Sequence, residues 1–133
     1  MNHLAIVDDD FVLLNFLKEL FEAKGLHVSA FEDPVQALPA IKEIEPDVVL
    51  ADVLMPEMNG FDFCRALRSD KAFTRTPIFL MSAKHSIGEL SKSMMAGADD
   101  YFIKPFQTDD IYTQMLQTYT KKNNPIVIKP SDG

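Results

Sequence analysis

The stretch Val48-Val49-Leu50-Ala51-Asp52-Val53-Leu54-Met55-Pro56-Glu57-Met58-Asn59-Gly60 decides the fold. Its first four residues are apolar whichever way an extended chain turns them, the pattern of a central strand buried on both faces. A lone carboxylate, Asp52, stands at the end of that strand. A turn carrying Pro56, Asn59 and Gly60 then leads into a segment where Phe61, Cys64 and Leu67 recur at helical spacing. Strand, polar turn and helix make one unit of an alternating β/α chain, and the flanking sequence repeats it.

Toward the N-terminus, Leu4-Ala5-Ile6-Val7 reads as a first strand. Leu13, Leu14, Leu17, Leu20 and Phe21 then lie on a helix, with Gly25 placed to close it in a left-handed conformation. Leu26 to Phe31 reads as a second strand, and Asp33-Pro34 opens a second helix with a capping carboxylate followed by proline at the first helical position. Toward the C-terminus, Pro77 to Met81 reads as a fourth strand followed directly by Ser82, and a fourth helix spans roughly Ser86 to Met95, ending near Gly97. Tyr101-Phe102-Ile103 is a fifth strand that exits through Lys104-Pro105. A last helix begins near Thr108, with Asp109 and Asp110 at its positive end and Lys121 and Lys122 at its negative end. The expectation is an α/β fold with five parallel strands and five helices. One domain is expected over residues 1–122, with residues 123–133 as a C-terminal tail or linker stub.

Composition supports a single core: 133 residues, 47% hydrophobic and 25% charged. The net charge of -7 and a pI near 4.8 exclude a phosphate-backbone binder, so no direct nucleic-acid contact is expected. The single cysteine, Cys64, excludes an intrachain disulfide and a multi-thiolate metal site, and its place beside Phe61 and Leu67 points to core packing. The chain runs from Met1 straight into a strand, so no signal peptide is expected, and no apolar run approaches the roughly 20 residues of a membrane span. A soluble, cytoplasmic domain without membrane contact is expected.

In an open parallel sheet, function gathers beyond the carboxyl ends of the strands. There the sequence sets Asp8, Asp9 and Asp10 after the first strand, Asp52 after the third, Ser82 after the fourth and Lys104 after the fifth. Asp10 is placed to cap the first helix, which leaves Asp8, Asp9 and Asp52 to crowd one another. Crowded carboxylates repel, and a divalent cation keeps them ionised; all-oxygen ligands favour magnesium, calcium or manganese over zinc. With Asp52 as carboxylate nucleophile, Lys104 as its cationic partner, and the Ser82 hydroxyl and Ala83 amide as donors, the set suits phosphoryl transfer.

Five motifs follow one another along the chain: Val7-Asp8-Asp9-Asp10, Ala51-Asp52-Val53-Leu54-Met55-Pro56 with Asn59-Gly60, Met81-Ser82-Ala83, Ala96-Gly97-Ala98, and Tyr101-Phe102-Ile103-Lys104-Pro105-Phe106. In that order they resemble the response-regulator receiver family, from about Leu4 to Lys121. The resemblance implies a flavodoxin-like sheet of order 2-1-3-4-5 and phosphorylation of Asp52 by a sensor histidine kinase or phosphotransfer protein. It implies Mg2+ held by Asp9, Asp52 and the Leu54 carbonyl, with Asp8 reaching it through water. It also implies a switch in which Ser82 and Tyr101 respond and the face of the fourth helix, fifth strand and fifth helix is remodelled for a downstream effector protein or domain. A cis Lys104-Pro105 bond is implied as well, against a general X-Pro frequency of about 5–6%.

Leu54, two residues after Asp52, and Lys84, two after Ser82, are expected to flank the path of attacking water and are candidates for setting the lifetime of the acyl phosphate. Two rival functions are weaker. A haloacid-dehalogenase-type hydrolase resembles this arrangement, but carries a second aspartate two residues after its nucleophile, where this chain has Leu54. An unphosphorylated scaffold would need none of the site residues present. His3, His27 and His85 show no ligand spacing, and Met94-Met95 suits core packing at least as well as a partner surface.

Overall fold

The computed structural model describes residues 1–84 and 86–123; His85 and the expected tail from residue 124 onward lie outside the described residues. The strands are β1 (His3–Val7), β2 (His27–Phe31), β3 (Val48–Asp52), β4 (Ile78–Ser82) and β5 (Asp100–Ile103). The helices are α1 (Phe11–Glu22), α2 (Pro34–Ile44), α3 (Gly60–Arg68), α4 (Ile87–Ala96) and α5 (Thr108–Asn123). All strand pairings are parallel, in the order β2-β1-β3-β4-β5, as the resemblance implied. Among the described residues no helix is long and apolar enough to cross a membrane.

Alternation along β1 sorts the two halves of the core. Ala5 and Val7 face a cluster with Ile41, Phe63 and Leu67, from α2 and α3. Leu4 and Ile6 face Leu14, Leu17 and Phe21 from α1 and Met115 from α5. Every residue of β3 is buried, as its unbroken apolar run demands. Because α1 and α2 cover opposite faces, the connections diverge between β1 and β3, and a crevice opens beyond their carboxyl ends.

Several boundaries move by a residue, for chemical reasons. β4 begins at Ile78 rather than Pro77, because proline has no N–H to give the ladder; the Ile78 amide is taken instead by Asp99 Oδ2 at 2.8 Å. Ser86 caps α4 from outside, accepting from the Glu89 amide, and Gly97 at φ +98° ends it. Gly25 adopts φ +94°, but α1 itself stops at Glu22. α5 runs through Asn123, one residue beyond the expected domain boundary. A short 3-10 turn, Lys71–Phe73, capped by Asp70, was not expected.

The end of the sheet away from the crevice is tied by Arg68, the last residue of α3. Its guanidinium donates to the carbonyls of Gly97 (2.9 Å), Phe73 (2.7 Å) and Thr76 (2.6 Å) and to Asp99 Oδ2 (2.9 Å). Lys122 of α5 pairs with the other Asp99 oxygen at 2.6 Å. Only the five-donor geometry of arginine can join these elements at once. Arg68→Ala takes the donor from three carbonyls and removes one of the two cations paired with the largely buried Asp99. It should cost about 2–4 kcal/mol in urea unfolding, with Arg68→Lys recovering only a minor part.

Candidate functional site

Parallel register brings the carboxyl ends of the strands together. Val7 lies opposite Ala51, so the next residues, Asp8 and Asp52, emerge side by side. Asp52 pairs with Met81, which puts Ser82 one step along the neighbouring strand. Ser82 pairs with Ile103, and the Lys104 amide then donates to the Ser82 carbonyl at 2.8 Å, delivering the lysine to the same rim.

Asp8 is fully buried and Asp52 is 5% exposed, whereas Asp9 faces solvent. One oxygen from each of the three carboxylates lies within 4.8 Å of the others. Lys104 Nζ bridges the two buried ones, at 2.9 Å from Asp8 Oδ2 and 3.0 Å from Asp52 Oδ1. The second Asp8 oxygen accepts the Asp10 amide at 2.9 Å. Asp10 is not part of the cluster: it caps α1 by accepting the Leu13 amide at 3.1 Å, as its position in the sequence indicated.

Burial first, and the charge of Asp8 second, push the Asp52 carboxyl from 3.8 to about 6 despite the bond from Lys104. Burial works against the Lys104 ammonium as well, but its bonds to Asp8 and Asp52 prevail and hold its pKa above the ordinary value. Three carboxylates against one ammonium leave the cluster short of positive charge. An all-oxygen set of this kind can hold a divalent cation, and the crowding at Asp52 is what such an ion would relieve.

The other expected residues are placed more selectively. Ser82 is fully buried beside Asp52, but its Oγ accepts the Lys84 amide at 3.2 Å rather than bonding the Asp52 carboxylate. Tyr101 is turned inward, 9% exposed, and its hydroxyl donates to the Lys84 carbonyl. Leu54 lies in the loop after β3 with half its surface in solvent, and Ala83 and Lys84 are exposed on the loop after β4. Lys104-Pro105 is cis.

Outside the cluster, Cys64 is buried in the core and burial pushes its thiol to about 11, in line with a packing role. Met94 and Met95 are 53% and 84% exposed, which rules out core packing among the two readings left open for them: the buried side of α4 is made by Ser93 and Ala96. His3 and His27, scattered in sequence, are register partners whose rings stack at 4.3 Å. They sit at the first residues of β1 and β2, away from the carboxylates. Their pairing depends on strand register, which residue spacing does not reveal.

The response regulator receiver domain profile matches residues 4–116. The DNA-binding response regulator MtrA of Mycobacterium tuberculosis is 36% identical over 112 residues, covering 84% of this chain and 48% of that protein. The chain thus spans about half the length of such relatives. The receiver domain of the Francisella response regulator 1452 superposes with a TM-score of 0.85 at 28% identity, covering 92% of this chain and all of that one. The Vibrio cholerae chemotaxis protein CheY4 superposes with a TM-score of 0.84 at 25% identity, over 89% of this chain and 98% of its own. By fold, by the order of its motifs and by this match along most of its length, the chain belongs to the response regulator receiver domain family.

Proposed function

We propose that this chain is the phosphoacceptor switch of a two-component system, taking a phosphoryl group from a histidine kinase or phosphotransfer protein onto Asp52 with Mg2+. The observation that carries this reading is the meeting of Asp8, Asp9 and Asp52 within 4.8 Å, with Lys104 bonded to two of them. In the transfer, an Asp52 oxygen bonds to phosphorus as the phosphorus–nitrogen bond of the donor's phosphohistidine breaks. The imidazole leaves as its neutral form after taking a proton. Asp9, Asp52 and the Leu54 carbonyl would hold Mg2+ directly and Asp8 through water, and the bound ion would supply positive charge for the phosphoryl oxygens. Lys104 needs little movement to donate to a phosphoryl oxygen, and it keeps its bond to Asp8.

The phosphoryl group adds strong acceptors beside Ser82. Ser82 then exchanges the Lys84 amide for a phosphoryl oxygen, the loop after β4 shifts, and Tyr101 changes partners. The face of α4, β5 and α5, where Ile87, Leu90 and Ile103 are exposed, is remodelled for an effector protein or domain. Leu54 and Lys84 govern the access of hydrolytic water. The chain assists its own phosphorylation and dephosphorylation and turns over no separate substrate. We take residues 1–122 as the switch, working in the cytoplasm without direct contact to nucleic acid or membrane. The rival hydrolase reading lacks its acid: the half-exposed side chain at position 54 is leucine.

Acetyl phosphate with Mg2+ should add one phosphoryl group to the intact mass, and neither Asp52→Ala nor the Mg2+-free protein should gain it. A pH dependence follows from Asp52. Its folded pKa near 6 exceeds its ordinary 3.8, so the folded state holds the proton more tightly. That contribution to stability is complete below about pH 4 and is lost as pH rises through about 6. Mg2+ competes with the same proton, so the rise in melting temperature it causes should be larger at about pH 7.5 than at about pH 5. Asp52→Asn should stabilise the Mg2+-free protein by roughly 1–2 kcal/mol at neutral pH and remove most of the Mg2+ effect.

A further inference from the structure

Gly60, the first residue of α3, is buried and has an ordinary negative-side backbone; the glycines of positive φ are Gly25 and Gly97. Its lack of a side chain is therefore a matter of space. A Cβ built there would lie 2.4 Å from the Asp52 carbonyl oxygen, 2.8 Å from Val53 Cα and 3.0 Å from the Asp52 carbonyl carbon. All three are backbone atoms of the acceptor and its successor, so no side chain can swing aside to make room. The Gly60 amide also donates to the Val53 carbonyl at 2.8 Å, closing the loop that leaves the acceptor. From the other side, the Val53 amide donates to Met81 of β4 at 2.9 Å. The peptide that carries Asp52 is thus held between α3 and the sheet.

We propose that Gly60 is a positioning residue for the acceptor. Its bare Cα lets the first turn of α3 rest on the Asp52 peptide and so sets where Asp52 presents its oxygens to a divalent cation and to phosphorus. This rests on the phosphoacceptor reading above. A methyl group at position 60 forces helix and strand end apart by about 1 Å before ordinary contact is regained, and displacements of that size slow positioned reactions by up to about 100-fold. The same displacement moves one of the cation's ligands relative to Asp8 and Asp9.

The test compares wild type, Gly60→Ala and Gly25→Ala. The last is a stability control: its φ of +94° strains any side chain, but nothing lies within 4 Å of the added methyl. Melting temperature, Mg2+ affinity by calorimetry, and acetyl phosphate labelling rates across donor concentrations at saturating Mg2+ are measured where the variants are folded. Both variants should melt lower. Gly60→Ala alone should lose about 10- to 100-fold in maximal labelling rate and bind Mg2+ several-fold more weakly. A folded Gly60→Ala with wild-type affinity and rate overturns the proposal. Should Gly60→Ala not fold, the wild-type Gly60 and Val53 amide resonances decide: they should shift on Mg2+ addition with the calorimetric affinity, and static resonances overturn it. Wild-type protein that takes up neither Mg2+ nor phosphoryl group overturns the phosphoacceptor reading and this inference together. Failure confined to position 60 overturns the inference alone.

Discussion

Two buried carboxylates and an exposed one share a single ammonium at the rim of the sheet, and this shortage of positive charge is the constraint on which the rest of the structure depends. Burial and the charge of Asp8 raise the Asp52 carboxyl to about 6, and the bond from Lys104 offsets that only in part. Such a cluster is costly to keep. It persists because three strand ends, β1, β3 and β5, supply its members from a rigid parallel register, and because the crevice between diverging connections leaves it open on one side.

The path from this cluster to the surface passes through one residue of the loop after β4. The Lys84 amide is bonded to the Ser82 hydroxyl and the Lys84 carbonyl to the Tyr101 hydroxyl. In the proposed switch, drawing Ser82 toward Asp52 breaks the first bond and loosens the second, so an event at Asp52 reaches an aromatic of β5 through the backbone of a single residue. α4 is suited to respond unevenly. Its C-terminal end is held by Ser93, Ala96 and the Arg68 bond to Gly97, while Ile87 and Leu90 at its start remain exposed. Phosphate would bias this equilibrium only by its different affinity for the two arrangements.

The fold was legible because its determinants are local. The unbroken apolar run of β3, the Asp33-Pro34 helix start and the polar residue after each strand are all visible in sequence, and the strand ends then predict which polar residues meet. Features that depend on long-range register were not visible. The stacking of His3 on His27 needs β1 and β2 aligned residue by residue, and the bond of Lys104 to Asp8 joins residues 96 positions apart. The Arg68 tie bonds four separate residues, Phe73, Thr76, Gly97 and Asp99, from one side chain, and arginine at the end of an amphipathic helix otherwise suggests only solvent. The exposure of Met94 and Met95 follows from how few residues α4 buries, which helical periodicity alone did not settle. Gly60 stands in a recognisable turn, but its closeness to the Asp52 peptide is a property of packed backbone.

Reductive trapping identifies the phosphorylated side chain most directly. Borohydride reduces an aspartyl phosphate, but not a phosphoserine or a free carboxylate, to homoserine. Protein labelled with acetyl phosphate and Mg2+ is reduced, digested and mapped by mass spectrometry. Homoserine at position 52, absent without donor or Mg2+, is the expected product. Homoserine at position 8 or 9, or a phosphoryl group that resists reduction on Ser82, would contradict the assignment of Asp52 as acceptor.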